Sequence, residues 1–275
     1  MKKFASHFFE SVGVWFESWK FISTNRLLHY FIFPVLISLV LSTFAVVLIK
    51  SGVDYIMQFI EPYVQQQPLS ENFSENILIV IQNLGKYAAS FVLFLLGLYI
   101  FSRIHKYLVL AAMAPVMALL SDRVYEILTG QKTPFALGPF LHDVFRGIVL
   151  SVRNMFMEFA LSFFFWAASL YLSLLLPFLE FIILPVTAVV LFINGAYFFG
   201  FTTMDYYLEK RKFGVRQSIQ IIRKNRYAAI GNGAVFSLLF VVPFVGVSVA
   251  TITCTVSSML YMHRLNQNEQ SKKVE

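Results

Sequence analysis

The stretch GAVFSLLFVVPFVGVSVATITC, residues 233–254, decides the fold. It lies in a run from Tyr227 to Met262 that has no charged residue, closed by RKNR on one side and HR on the other. One helix of that length would far exceed a bilayer, and two full crossings fall slightly short. Pro243 sits near the middle, where a helix loses a backbone donor. The arms Tyr227–Val242 and Val247–Met262 have 16 residues each, about 24 Å of helix against about 30 Å of hydrocarbon. The tip, PFVG, has no side chain that needs water. The expectation is a hairpin that turns inside the membrane, its freed backbone groups satisfied by neighbouring helices. Two full crossings of a locally thinned bilayer are the alternative, because mismatch costs only fractions of a kcal/mol per Å.

The rest of the chain agrees with a membrane reading. Hydrophobic residues make up 58% and charged residues 13% of the 275 positions, outside the range of a soluble domain. The 31 phenylalanines suit lipid-facing helices. The opening MKKFASHFFESVGVWF has the lysines of a signal peptide, yet Glu10 and Glu17 interrupt its apolar core, so no cleaved signal is expected. The net charge of +7 would suggest nucleic acid in a soluble protein. Here the basic residues flank hydrophobic runs, so topology explains them and no nucleic-acid partner is expected.

Charge sets the orientation. Leu27–Ile49 has no charged residue if His29 is neutral, and its 23 residues make a full span of about 34 Å. The 50–86 segment is the only long acidic one, with Asp54, Glu61, Glu71 and Glu75 against Lys50 and Lys86. A second span begins at Tyr87 and is read as one helix over 87–121, continuing past Arg103 and Lys106, whose stems snorkel to the headgroups. Every other polar segment is basic or neutral; 205–226 alone has seven basic residues against two acidic. The positive-inside rule puts these in the cytoplasm, with both termini, and 50–86 outside. Residues 154–204 and 227–262 must then each be a hairpin entered from the cytoplasm, the first bending near Pro177, Glu180 and Pro185. An amphipathic interfacial helix is expected over 4–24, with Phe4, Phe8, Val12, Trp15, Trp19 and Ile22 as its apolar stripe. A basic cytoplasmic helix is expected over 205–226, where Phe213, Ile219 and Ile222 face away from the charge, and a polar tail over 263–275. The fold class is thus an all-α integral membrane protein, one membrane domain throughout, with the bilayer as its first partner.

Catalytic chemistry is sparse. The histidines at 7, 29, 105, 142 and 263 are scattered and lack metal-ligand spacing. His142 and Asp143 read as solvated surface, and GNG at 231–233 has no preceding strand to make it a phosphate loop; its glycines read as close-packing positions. Cys254 reads as a buried, unreactive thiol. No enzyme, metal or cofactor is expected. What stands out is positive charge at or beside membrane depth: Arg26 at the mouth of the first span, Arg103 in the second, Arg153 at the start of the first hairpin. With His29 these are the candidate binding residues for an anion.

Four stretches then carry a resemblance: APVMALLSDRVYEILTG at 114–130, NGAYFFGFTTMDYYLEKRKF at 194–213, RKNRYAAIGNG at 223–233 and VVPFVGVSVAT at 241–251. In order and spacing they resemble the CysZ-type sulfate permeases and the wider etoposide-induced-protein-type membrane domain. The resemblance implies a bacterial inner-membrane protein with two long transmembrane helices and two hairpins inserting part way, assembled as a homo-oligomer. It implies passage of a small inorganic anion, sulfate, feeding cysteine synthesis, with no cofactor. The family's sulfate motif is Gly-Leu/Ile-Arg, often with a second arginine, just before the first span. Aligned on Pro34, NRLLHYFIFP puts Arg26, Leu27 and Leu28 in those places and His29 at the second arginine. The alternative from another class is a non-conducting scaffold or assembly factor whose basic face holds lipid or a partner.

Overall fold

A computed structural model describes residues 2–60, 73–131, 136–242 and 245–274. Among these residues there is no strand, as an all-α membrane protein requires. The helices are α1 (Lys2–Thr24), α2 (Ile32–Ile60), α3 (Phe73–Ala112), α4 (Ala114–Thr129), α5 (Leu137–Leu175), α6 (Glu180–Lys210), α7 (Val215–Lys224), α8 (Arg226–Leu239) and α9 (Val245–Val274). Short 3₁₀ turns at Leu28–Phe31 and Pro177–Leu179 precede α2 and α6. Four segments among the described residues are long and apolar enough to cross a membrane: Leu28–Gln58, Leu84–Phe101, Leu137–Leu175 and Pro177–Lys210.

Two compact units divide the chain, Leu39–Lys106 and the remainder. In the smaller unit α2 and α3 meet where Gly97 lies against Ile49, so close that a Cβ on Gly97 would stand 2.7 Å from Ile49 Cγ2. Both helices run well into the polar 50–86 segment, read from sequence as a loop; its middle, 61–72, lies outside the described residues. The second long helix also differs from expectation. It ends at Ala112 and α4 restarts at Ala114, because Pro115 has no N–H for the Ala111 carbonyl and its ring crowds that group.

In the larger unit α5 and α6 form the first hairpin, extending beyond 154–204 at both ends. Its bend is at Leu176–Leu179, where the Leu176 amide closes α5 on the Leu172 carbonyl. Pro185 does not mark the bend; it lies inside α6. The charge-free run of the opening stretch is α8 and most of α9. Pro243 and Phe244 at its tip lie outside the described residues, but the two helices converge there: a Cβ on Gly246 would meet the Leu239 carbonyl oxygen at 1.9 Å. With 14 residues, α8 reaches about 21 Å and is too short to cross alone. The pair is enclosed by α1, α4 and α6, and α9 is buried from Ala250 to Tyr261. Helix α9 continues to Val274, through the stretch expected as a polar tail.

Glycines set these distances. A Cβ on Gly200 of α6 would come 1.8 Å from the Ala229 carbonyl oxygen of α8, and one on Gly233 of α8 would come 1.7 Å from the Ala196 carbonyl oxygen of α6. Gly231 faces α1 in the same way, 2.7 Å from the Phe8 carbonyl oxygen. The GNG stretch is therefore a packing device. It also decides which side of α1 is buried. The seated face is Ser11, Val14, Ser18 and Ile22, with Ser11 Oγ donating to the Ala228 carbonyl at 2.9 Å, while Phe9, Phe16 and Trp19 point outward. The aromatic stripe read from the sequence is thus only partly the buried one, because small residues and not bulk fix the approach.

Polar groups join what the glycines bring together. Asn232 Nδ2 lies within hydrogen-bond distance of Thr203 Oγ1 at 3.0 Å, Ser258 Oγ at 2.7 Å and the Cys254 carbonyl at 2.9 Å, and its two N–H groups tie α8 to α6 and α9. Trp15 Nε1 donates to Thr253 Oγ1 at 2.8 Å. Two residues further along α1, Arg264 pairs with Glu17 and holds its carboxyl below the usual range. Gly200→Ala and Gly233→Ala are each expected to lower stability in detergent by about 3 kcal/mol, the upper end of what overpacking costs. Gly13→Ala, with nothing within 4 Å, should instead raise it by up to about 1 kcal/mol through helix propensity. Thermal unfolding of the three variants, followed by circular dichroism, checks the contrast.

Candidate functional site

The chain reverses between α1 and α2 through a defined backbone motif. Arg26 is left-handed, with φ 57°. Its amide bonds the Ser23 carbonyl at 3.3 Å, and the Leu27 amide reaches back to Ile22 at 3.0 Å. This is the Schellman pattern, with its usual apolar contact made by Ile22 and Leu27, both fully buried. Trp19 stacks on Phe31 at 5.9 Å and so fixes the exit direction. Leu28 and His29 open the 3₁₀ turn, whose first bond is Tyr30 N to Leu27 O at 3.2 Å. Their own amides have no carbonyl behind them in the turn. His29 donates from Nδ1 to the Arg26 carbonyl at 3.1 Å and rests its ring on Tyr30, centroids 4.3 Å apart.

Of the four candidate residues, the break brings Arg26 and His29 together, both exposed. Arg153 stands apart from them on α5, bonded to Asn154 Oδ1 at 3.0 Å and lying over the Phe201 ring at 5.5 Å. Arg103 belongs to the smaller unit, and its side chain lies outside the described residues.

A cavity of about 940 Å³ opens beside the break, with Tyr30 in its wall. The charged residues that line it were not singled out from the sequence. Arg146 forks onto Asp205, Nε to Oδ2 at 3.0 Å and Nη2 to Oδ1 at 2.8 Å, and also donates to Ser218 Oγ at 2.9 Å and to the Phe213 carbonyl. One guanidinium thus ties α5 to the end of α6, the following turn and α7. Lys210 Nζ lies 2.7 Å from both Asp122 on α4 and Asp143 on α5. The stretch 205–226 is therefore not one surface helix. Asp205–Glu209 is the buried end of α6, and the chain turns at Lys212, also left-handed at φ 60°, before α7. Asp143, read as solvated surface, is a partner of Lys210. The cavity wall holds Arg123, Arg146, Lys210 and Lys212 against Asp122, Glu126, Asp143 and Glu209. Several of these bases and acids pair with one another.

Glu158 was also missed. It is buried on α5 with Tyr107 Oη donating to its carboxylate, and Asn194 Nδ2 donates to its backbone carbonyl at 3.2 Å. A lone carboxylate inside the apolar arm RNMFMEFALSF was the signal. Cys254 is fully buried, as expected.

Helices of this kind, four of them apolar enough to span a bilayer, define a polytopic α-helical membrane protein. Residues 14–250 match the family model described as Sulfate transporter CysZ/Etoposide-induced protein 2.4, and the chain belongs to that family. No individually curated protein matches the chain. The backbone at the break gives the family's motif a physical sense. Position 26 is left-handed, which suits glycine; position 27 is buried, which suits Leu or Ile; positions 28 and 29 are exposed. In this chain Arg26 holds the glycine place.

Two stability outcomes follow. Arg146→Ala leaves Asp205 buried without its counterion and is expected to cost about 3 to 5 kcal/mol. Lys212→Gly relieves the left-handed backbone and should raise the unfolding midpoint by roughly 2 to 4 °C, equivalent to about 1 kcal/mol. Denaturation of the purified variants measures both.

Proposed function

We propose that the protein passes a small inorganic anion, sulfate, across the bacterial inner membrane, and that the break at residues 26–29 is where the anion first docks. Family membership over 14–250 supports a transporter-like membrane role. The observation that carries the site is the turn itself. Two helix-opening amides, at Leu28 and His29, stand beside an exposed arginine and an exposed histidine, and among the described residues no acidic side chain pairs with Arg26. Amides at a helix start and a nearby cation are the arrangement that holds an oxyanion. The arginine contributes as a charge-assisted partner worth about 1.5 to 3 kcal/mol, on the order of tenfold to a hundredfold in affinity.

The test is sulfate binding to purified protein, followed by flux into proteoliposomes. Arg26→Gln should insert normally and lose at least tenfold in both. The double variant Arg26→Gly with Leu28→Arg, which rebuilds the family's motif, should recover or exceed the original binding. Unchanged binding in a well-inserted Arg26→Gln variant overturns the site; binding without flux in the unaltered protein favours the scaffold reading. The orientation is tested separately in intact spheroplasts. Gln66→Cys should react with an impermeant thiol reagent and Gln220→Cys should not, while buried Cys254 stays silent. Labelling at 220 from outside would reverse the topology.

A further inference from the structure

Three arginines at the foot of the first hairpin have only neutral partners. Arg153 lies over the Phe201 ring, whose centroid is 6.3 Å from that of Tyr197 on α6, and Arg223, near the end of α7, and Arg226 lie within electrostatic reach of the Tyr197 phenol. Arg226 opens α8 with Nη2 on the Tyr227 hydroxyl at 3.0 Å and its guanidinium 4.9 Å from that ring. Arg153 has an amide oxygen and the Phe201 ring. Among the described residues no Asp or Glu pairs with any of the three, in contrast to Arg146, Lys210, Arg123 and Arg264. The first bond of α8 runs from Ala228 N to Asn225 O, so the Arg226 amide also points outward from the helix start.

The surface next to this corner is apolar and open. From Arg153 along α5, Met157, Leu161 and Phe164 follow at helical spacing and are exposed. From Tyr197 back along α6, Ile193, Val189 and Val186 do the same. Both rows run from the cationic corner toward the hairpin bend, along helices apolar enough to lie in a bilayer. A free inorganic anion would use the corner and leave the rows uncovered. A phospholipid covers both.

We infer that Arg153, Arg223, Arg226 and Tyr197 bind the headgroup phosphate of an anionic phospholipid whose acyl chains lie along the α5–α6 rows. This assigns Arg153 to lipid and leaves the transported anion to the break at 26–29, so either site can fail without the other. Three cations around one phenol repel each other, and one or two negative charges from outside the chain relieve that repulsion. Phosphate oxygens accept from guanidinium forks and helix-opening amides together. A zwitterionic headgroup brings its own ammonium to the same corner and is disfavoured there.

The experiment is native mass spectrometry of the purified full-length protein with equal amounts of phosphatidylglycerol and phosphatidylcholine carrying identical chains. The unaltered protein should retain phosphatidylglycerol at least tenfold over phosphatidylcholine. Combined Arg153→Gln, Arg223→Gln and Arg226→Gln should bring that preference to near parity, whereas Arg216→Gln, an exposed cation on α7 outside the cluster, should leave it unchanged. If the triple variant does not purify as a single species, the three single variants are measured, each expected to lower the preference about threefold. No preference in the unaltered protein, or one that survives the triple or all three single substitutions, overturns the proposal. Displacement of the lipid by millimolar inorganic sulfate or phosphate also overturns it and marks the corner as a free-anion site.

Discussion

The close approach of α6 and α8 is the constraint on which the larger unit depends. At Gly200 and Gly233 each helix presses a backbone carbonyl into the space where the other would carry a Cβ. In lipid there is no solvent to drive apolar helices together, so dispersion and short polar contacts must do it, and both require small residues. Once α6 and α8 lie this close, Asn232 reaches Thr203 and Ser258, α9 is drawn into the interior, and α1 is seated over Gly231. Ser248 and Ser257 Oγ are buried there without a hydrogen-bond partner, whereas several other Ser and Thr residues of α9 bond backward to the helix or across to a neighbour. Thr255 Oγ1 on Thr251 O at 2.7 Å is one case and Thr203 on Ser258 at 2.8 Å another.

The glycine packing sets distance but not the relation of the hairpin feet to α7, which is left to charge. Arg146 and Lys210 each join elements far apart in sequence, and each is almost fully buried. A buried pair of this kind adds little net stability over an apolar substitute, yet removing one partner is costly. Its use is to hold one arrangement of α5, α6 and α7. That arrangement positions both the cavity wall and the corner where Arg153 and Arg223 come within electrostatic reach of Tyr197.

Much of this was legible from the chain. A charge-free run with a central proline gave a hairpin, the length of Leu27–Ile49 gave a long helix, and the two glycines of GNG announced close packing. What sequence reasoning missed follows from its treatment of charge as surface. Asp205, Lys210 and Asp143 were counted toward a cytoplasmic face, because a net tally of seven bases against two acids cannot show which of them pair inside. The turn within 205–226 was also missed. Lys212, like Arg26, adopts the left-handed conformation that glycine marks in sequence, and a basic residue there gives no such signal. The split at Met113 was foreshadowed by Pro115, but the apolar run around it masked the stop.

The cations thus separate into two kinds by what they touch. Arg146, Lys210, Arg123 and Arg264 face carboxylates within the chain, and their charge is spent on holding elements together. Arg153, Arg223 and Arg226 face an amide, rings and phenols, and Arg26 is exposed with no acidic partner among the described residues. Near hydrocarbon an unmatched cation is expensive, which is the ground for proposing an external anion beside this second kind. Where the backbone turns sharply and offers two helix-opening amides beside a single arginine, a small oxyanion is the better match. Where the cations border exposed apolar rows of two helices, a headgroup with acyl chains is. The division rests on what surrounds each arginine, which is why position along the sequence alone grouped Arg26 with Arg153 and the packed structure separates them.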